Sequence, residues 1–192
     1  MKESYRIILK KYLLWFILAI PGTAMSIRFL LNITTYKTVM NGTGEFSARL
    51  LIITLIATPL AMIFPNGKVT RWLVKNRRYF GVATFVYALV HTIFYLNEIA
   101  FGQMMSDFFQ VAILTGWIAF FIFVPLALTS NDAAVKCMKE TWKKLQQWVY
   151  LAAVMTFVHW ALVHYHWKAA AMHFVPVLGL EIWRIWKGRP RI

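Results

Sequence analysis

The chain has 192 residues, of which 60% are hydrophobic, 17% aromatic and only 15% charged. A soluble domain is about 45–50% apolar and 25% charged, so this composition excludes a water-soluble enzyme and defines a small polytopic membrane protein. The formal net charge of +14 does not imply nucleic acid, because the basic residues lie between apolar runs rather than on one face.

Apolar runs of about 20 residues, the length that crosses a bilayer core, predict six membrane helices over 12–31, 46–64, 79–101, 108–129, 145–165 and 169–187. The first begins like a signal peptide, with Lys2, Arg6, Lys10 and Lys11 before an apolar stretch. That stretch continues to about Leu31, too long for a cleaved segment, and predicts an uncleaved span. Pro21, Pro59, Pro125 and Pro176 fall inside spans, where neighbouring helices tolerate a kink. His173, Pro176 and Glu181 interrupt the sixth span, and Glu181 with Arg184 has the spacing of an i,i+3 ion pair. The basic residues concentrate in the N-terminus, 65–78, 130–144 and the C-terminal tail, whereas 32–45, 98–107 and 166–168 carry only Lys37 and Lys168. By the positive-inside rule both termini are cytoplasmic. With no internal repeat, low-complexity tract or linker, residues 1–192 read as one domain. The fold class is therefore all-α, a polytopic membrane helical bundle. Cys137, the single cysteine, excludes a disulfide framework and a cysteine-ligated cluster.

Ionisable side chains within a span are costly and point to function. His91 lies 12 residues into span three, and His159 lies 14 residues into span five. At 1.5 Å per residue these are depths of about 18 and 21 Å. Both spans run outward, so the imidazoles reach one level in the outer half of the membrane. Two histidines facing each other between helices suit axial ligation of a b-type haem iron. Small Gly81 and Ala88, with Tyr87, Phe94 and Tyr95, surround His91; Ala152, Met155 and Thr156 surround His159. The plainer alternative is that each histidine hydrogen-bonds a neighbouring helix. Arg28 and Arg49 stand near the outer ends of spans one and two, either snorkelling to the interface or meeting haem propionates or a quinone. His164, His166 and His173 lie at the outer edge without a recognised metal-ligand spacing. No phosphate loop, paired carboxylates or nucleophile motif is present, so redox chemistry would need a bound cofactor.

From about Gly44 to Tyr165 the chain resembles the MsrQ/YedZ family, within the ferric-reductase-like transmembrane proteins. The resemblance rests on Thr43-Gly44, Ala57-Thr-Pro-Leu60, Arg77-Arg78-x-x-Gly81, His91, Leu126-Ala-Leu-Thr-Ser130, Trp142-x-x-Leu145, Val149-Tyr150-Leu151 and His159. It implies haem b held by His91 and His159 in a bacterial inner-membrane electron-transfer subunit rather than a self-contained enzyme. It also implies a periplasmic molybdopterin-containing catalytic subunit that repairs oxidised methionine, a further FMN, and electrons from the quinol pool or a cytosolic flavin reductase. One departure matters: where the family carries a further histidine, 13 residues before the second ligand, this chain has Gln146. Glutamine is a poor haem ligand, which predicts one haem and a membrane quinol as donor. Two alternatives stay open: a stand-alone ferric or other metal reductase, for which His164 and His166 are the outer candidates, and a haem-free transporter with gating histidines.

Overall fold

The structure, a computed structural model, describes residues 2–163 and 167–188. Among them are nine helices and no strand: α1 (Lys2–Leu30), α2 (Tyr36–Ile63), α3 (Lys68–Glu98), α4 (Phe101–Asp107), α5 (Val111–Leu128), α6 (Asp132–Met138), α7 (Glu140–Gln146), α8 (Val149–Val163) and α9 (Trp167–Lys187). Among the described residues four stretches are long and apolar enough to cross a membrane: Lys11–Leu30 within α1, then α2, α3 and α5. Six were expected. The fifth expected span corresponds to α8, of which 15 residues are described, and the sixth to α9, which carries Lys168, Glu181, Arg184 and Lys187.

Local chemistry explains where the helices start and stop. Asn32 closes α1 with a positive φ of 55°, a conformation that asparagine tolerates better than most residues. Thr35 then caps α2, its side chain accepting from the Thr38 N–H, so α2 begins ten residues before the expected span at 46. Its 28 residues extend about 42 Å at 1.5 Å per residue, beyond the roughly 30 Å hydrocarbon core. Asn131 caps α6 in the same way through Ala134, so the basic 130–144 connection folds as two short helices.

Packing divides into two cores that share α2. Leu14, Leu18, Leu50, Phe80, Ala83 and Tyr87 join α1, α2 and α3. Ala48, Leu51, Leu55, Phe123, Ala152, Ala170 and Phe174 join α2, α5, α8 and α9. Ala152 and Ala170 are fully buried, and such small residues let helices approach where lipid offers no hydrophobic drive for association. The outer surface is apolar, with Phe16, Ile20, Phe121 and Val154 exposed, an arrangement suited to lipid and not to water.

Specific polar contacts fix the register. Pro21 lacks an N–H and crowds the preceding turn of α1. There the Tyr87 hydroxyl of α3 enters the opened helix, donating to the Leu18 carbonyl (2.8 Å) and accepting from the Gly22 N–H (2.8 Å). Tyr87 therefore braces α1 and does not face His91's cavity, as its position in the sequence had suggested. Along α2 and α3, the Ser47 hydroxyl donates to the Thr84 carbonyl (2.8 Å), and the Tyr36 hydroxyl to that of Phe94. The expected Glu181–Arg184 pair is present at 2.7 Å, and Arg184 also reaches the Tyr150 hydroxyl, joining α9 to α8. At the same end of the bundle, Arg77 donates to Thr58 on α2, while Arg78 pairs with Asp132 at 2.5 Å. The hydrogen bond and charge of Arg78 hold the exposed Asp132 carboxyl below its ordinary range.

Candidate functional site

His91 on α3 and His159 on α8 meet between the helices, their ring centres 6.1 Å apart and their planes at 82°. The matching depth read from the sequence is therefore realised as direct proximity. Each Nδ1–H donates to a main-chain carbonyl of a neighbouring helix: His91 to Met40 on α2 (2.8 Å), His159 to Ala112 on α5 (2.6 Å). A carbonyl only accepts, so these bonds assign the proton to Nδ1 and the ring lone pair to Nε2. A glycine stands beside each ring. A Cβ at Gly44 would lie 2.8 Å from His91 Nδ1, and one at Gly116 would lie 2.7 Å from His159 Nδ1.

The two rings border a cavity of about 570 Å³ bounded by α2, α3, α5 and α8, within the range of small-molecule and cofactor sites. Its wall is mostly apolar, with Ala48, Ala119, Phe120, Phe123 and Trp160 prominent. Ala88 and Thr156, three residues before the respective histidines, also line it, as does Tyr95. Two of its polar atoms, Asn41 Oδ1 and the Tyr95 hydroxyl, are buried without a hydrogen-bond partner among the described residues. Such atoms are rare in a folded protein and mark where a bound group would supply the missing bond.

The expected outer arginines stand elsewhere. Arg49 pairs with Glu45 at 2.7 Å and is about half exposed; Arg28 is exposed in the last turn of α1. Neither lines the cavity, whereas Lys37 does, together with Glu45 and Glu98. Lys37 was overlooked because residues 32–45 read as a connection, although the Thr35 cap starts α2 before it. His173 donates to the Ala169 carbonyl within its own helix (2.8 Å) and packs on Trp160. His164 and His166 lie outside the described residues. Among the described residues no group of three or more His, Cys, Asp or Glu side chains is placed to hold a metal ion. Phe94 packs on Phe29 and Tyr36, and Gly81 faces Thr54, so neither borders the paired histidines.

A second, much smaller space of about 50 Å³ lies among the same four helices toward α7, lined by Thr54, Gly81, Phe123, Leu126 and Gln146. The Gln146 amide folds onto α5, donating to the Leu126 carbonyl (3.2 Å) and the Thr129 hydroxyl (3.3 Å).

Comparison with known families likewise returns a class of transmembrane proteins. The family model for the ferric reductase like transmembrane component matches residues 43–157. Three similar proteins each carry the name protein-methionine-sulfoxide reductase heme-binding subunit MsrQ. That of Ralstonia nicotianae is 30% identical over 166 residues, covering 78% of this chain and 72% of its own. Those of Caulobacter vibrioides and Xanthomonas campestris are 32% and 33% identical, each over 76% of this chain and 70% and 67% of theirs. The chain belongs to the MsrQ/YedZ family of ferric-reductase-like transmembrane proteins. No solved structure matches it.

Proposed function

We propose that this chain is the haem-binding membrane subunit of a methionine sulfoxide reductase system, carrying one b-type haem between His91 and His159. The observation that carries the reading is the spacing of the two imidazoles. A metal held by one nitrogen of each imidazole, with a bond of about 2 Å plus roughly 1 Å from nitrogen to ring centre, would need ring centres about 6 Å apart; here the centres are 6.1 Å apart. The fit extends to the surroundings. The cavity is large and apolar, and both Nδ1 atoms are anchored so that Nε2 is the ligating nitrogen. The buried Asn41 and Tyr95 polar atoms await partners.

Bound there, haem supplies one-electron transfer. The protein's own contribution is orientation and tuning: carbonyls at Met40 and Ala112 hold the rings and raise their basicity, while the apolar wall excludes water. Lys37 is the cavity-lining cation suited to an acidic edge of the bound group, a role for which Arg28 and Arg49 remain the more distant candidates. The charge distribution supports six spans, cytoplasmic termini and residence in a bacterial inner membrane. A periplasmic catalytic subunit that repairs methionine sulfoxide, molybdopterin-containing as the family resemblance implies, is the electron acceptor. The closely packed inner end, with Gln146 turned onto α5, supports a single outer haem, and hence quinol rather than FMN as the donor.

Replacing either histidine by alanine tests the ligand assignment. His91→Ala and His159→Ala should abolish the b-type absorption spectrum while the protein still inserts; an unchanged spectrum in either would refute it. For the donor, rapid haem reduction by a cytosolic flavin reductase without quinol would overturn the quinol route.

A further inference from the structure

The two histidine contacts are built from one repeated device. Residues 39–44 read Val39-Met-Asn-Gly-Thr43-Gly44 and residues 111–116 read Val111-Ala-Ile-Leu-Thr115-Gly116, the same V-x-x-x-T-G pattern on α2 and on α5. No repeat was expected from the sequence, and six residues within apolar helices are too few to announce one. The geometry repeats in detail. The Thr43 hydroxyl donates to the Val39 and Met40 carbonyls (2.8 and 2.9 Å), and the Thr115 hydroxyl to those of Val111 and Ala112 (2.8 and 3.0 Å). In both copies the carbonyl four residues before the glycine receives the histidine Nδ1–H of the adjacent helix.

We propose that Gly44 and Gly116, each with its preceding threonine, are positioning residues that dock His91 and His159 crosswise, and so set the orientation and electron-donating strength of the axial ligands. The proposal rests on the reading of these histidines as haem ligands.

Two physical effects cooperate in each dock. A helix carbonyl already accepts from the N–H four residues on and has a second lone pair. The histidine takes it at Met40 and Ala112 when the single hydroxyl hydrogen of the threonine is directed to its nearer acceptor, Val39 or Val111. A threonine bonding back to the preceding turn bends its helix locally, which favours access to that lone pair. The glycine then leaves the space through which the ring reaches it. Any Cβ there would stand 2.7–2.8 Å from Nδ1, so alanine must displace the ring. Because the docks lie on different helices, the planes are held at 82°. Hydrogen bonding at Nδ1 fixes the ring and raises ligand basicity, which favours the ferric state. Weakening it raises the reduction potential.

The test compares Gly44→Ala and Gly116→Ala with Gly102→Ala, where nothing lies within 4 Å of the added Cβ. Three readouts are used on the purified protein. Electron paramagnetic resonance of the oxidised form reports axial ring orientation, and a redox titration gives the potential. Histidine 15N NMR, in the reduced form where haem is present, reports which ring nitrogen holds the proton. Wild type should show the strongly anisotropic low-spin signal of crossed imidazoles. Either dock variant should lose part of that anisotropy, raise the potential and move the Nδ1–H resonance of its own histidine to that of a proton without a carbonyl acceptor, with Gly102→Ala unchanged. Thr43→Val, which keeps shape and removes only the hydroxyl, should alter the signal, and Thr43→Ser should restore it. If haem is bound but the dock variants match wild type in all three readouts, the docks are refuted and the haem reading stands. If wild type binds no haem, yet both histidines hold Nδ1–H and show that shift in their respective variants, the haem reading falls and the docks stand.

Discussion

The two ends of the four-helix arrangement formed by α2, α3, α5 and α8 are made by the same backbones and have opposite interiors. Where α2 begins and α3 finishes, glycines at 44 and 116 and alanines at 48, 88 and 119 face inward, and two imidazoles border a space of about 570 Å³. Toward α7, Leu126, Phe123 and the folded Gln146 amide leave about 50 Å³. Phe123 borders both spaces and stands between them. The contrast teaches that helix count and direction do not determine how much room such a bundle leaves inside. Inward side-chain volume does, and on the proposed reading it sets how many cofactors fit, together with the anchored imidazole nitrogens.

Filling the larger space should break the contrast most completely. Ala88 lines it one turn from His91, so Ala88→Trp is expected to lower haem retention at least tenfold while leaving insertion intact, read as haem per purified chain. Overpacking the helix interface comes next. Ala152 is fully buried between helices, and Ala152→Leu should destabilise the bundle by about 1–3 kcal/mol, measured by unfolding in detergent. Tyr87→Phe removes the hydroxyl that bridges the Gly22 N–H and the Leu18 carbonyl beside Pro21, a loss of about 1–2 kcal/mol. Its haem spectrum should not change, because Tyr87 does not line the cavity.

Gln146→His sharpens the contrast from the other end. It restores the residue that the family resemblance places there, yet about 50 Å³ admits no macrocycle, so haem per chain should stay at its wild-type value. A second haem in that variant would show that the ligand alone limits occupancy. The smallest expected effect concerns Asp132. Its folded carboxyl titrates below the unfolded value because of Arg78, so the contribution is present at neutral pH and disappears as pH falls through the folded pKa. Both partners are exposed, and screening keeps the effect small. Thermal unfolding curves of wild type and Asp132→Asn should differ slightly at neutral pH and coincide in acid.

Much of this was legible in the sequence because membrane helices carry coarse signals. Apolar runs located α1, α2, α3 and α5, and simple rise-per-residue arithmetic brought His91 and His159 to one depth. The Glu181–Arg184 pair followed from helical spacing alone. What escaped depends on local chemistry that periodicity does not encode. Thr35 starts α2 ten residues early, which turns Lys37 from a connection residue into part of the cavity wall. Tyr87 was assigned to the histidine's surroundings by nearness in sequence, but the opening that Pro21 makes in α1 captures its hydroxyl. Gly116 drew no notice at all, since a glycine among apolar residues has no meaning until the ring it admits is known. The pairing of Arg49 with Glu45, four residues earlier, was likewise not weighed when its two alternatives were set out.

The most direct test of the account is the number of haems on the purified wild-type chain, counted chemically and checked by a reduced-minus-oxidised absorption spectrum. One b-type haem per chain is predicted, with the bands of two axial imidazoles. Two haems, or none after expression with ample haem supply, would contradict it.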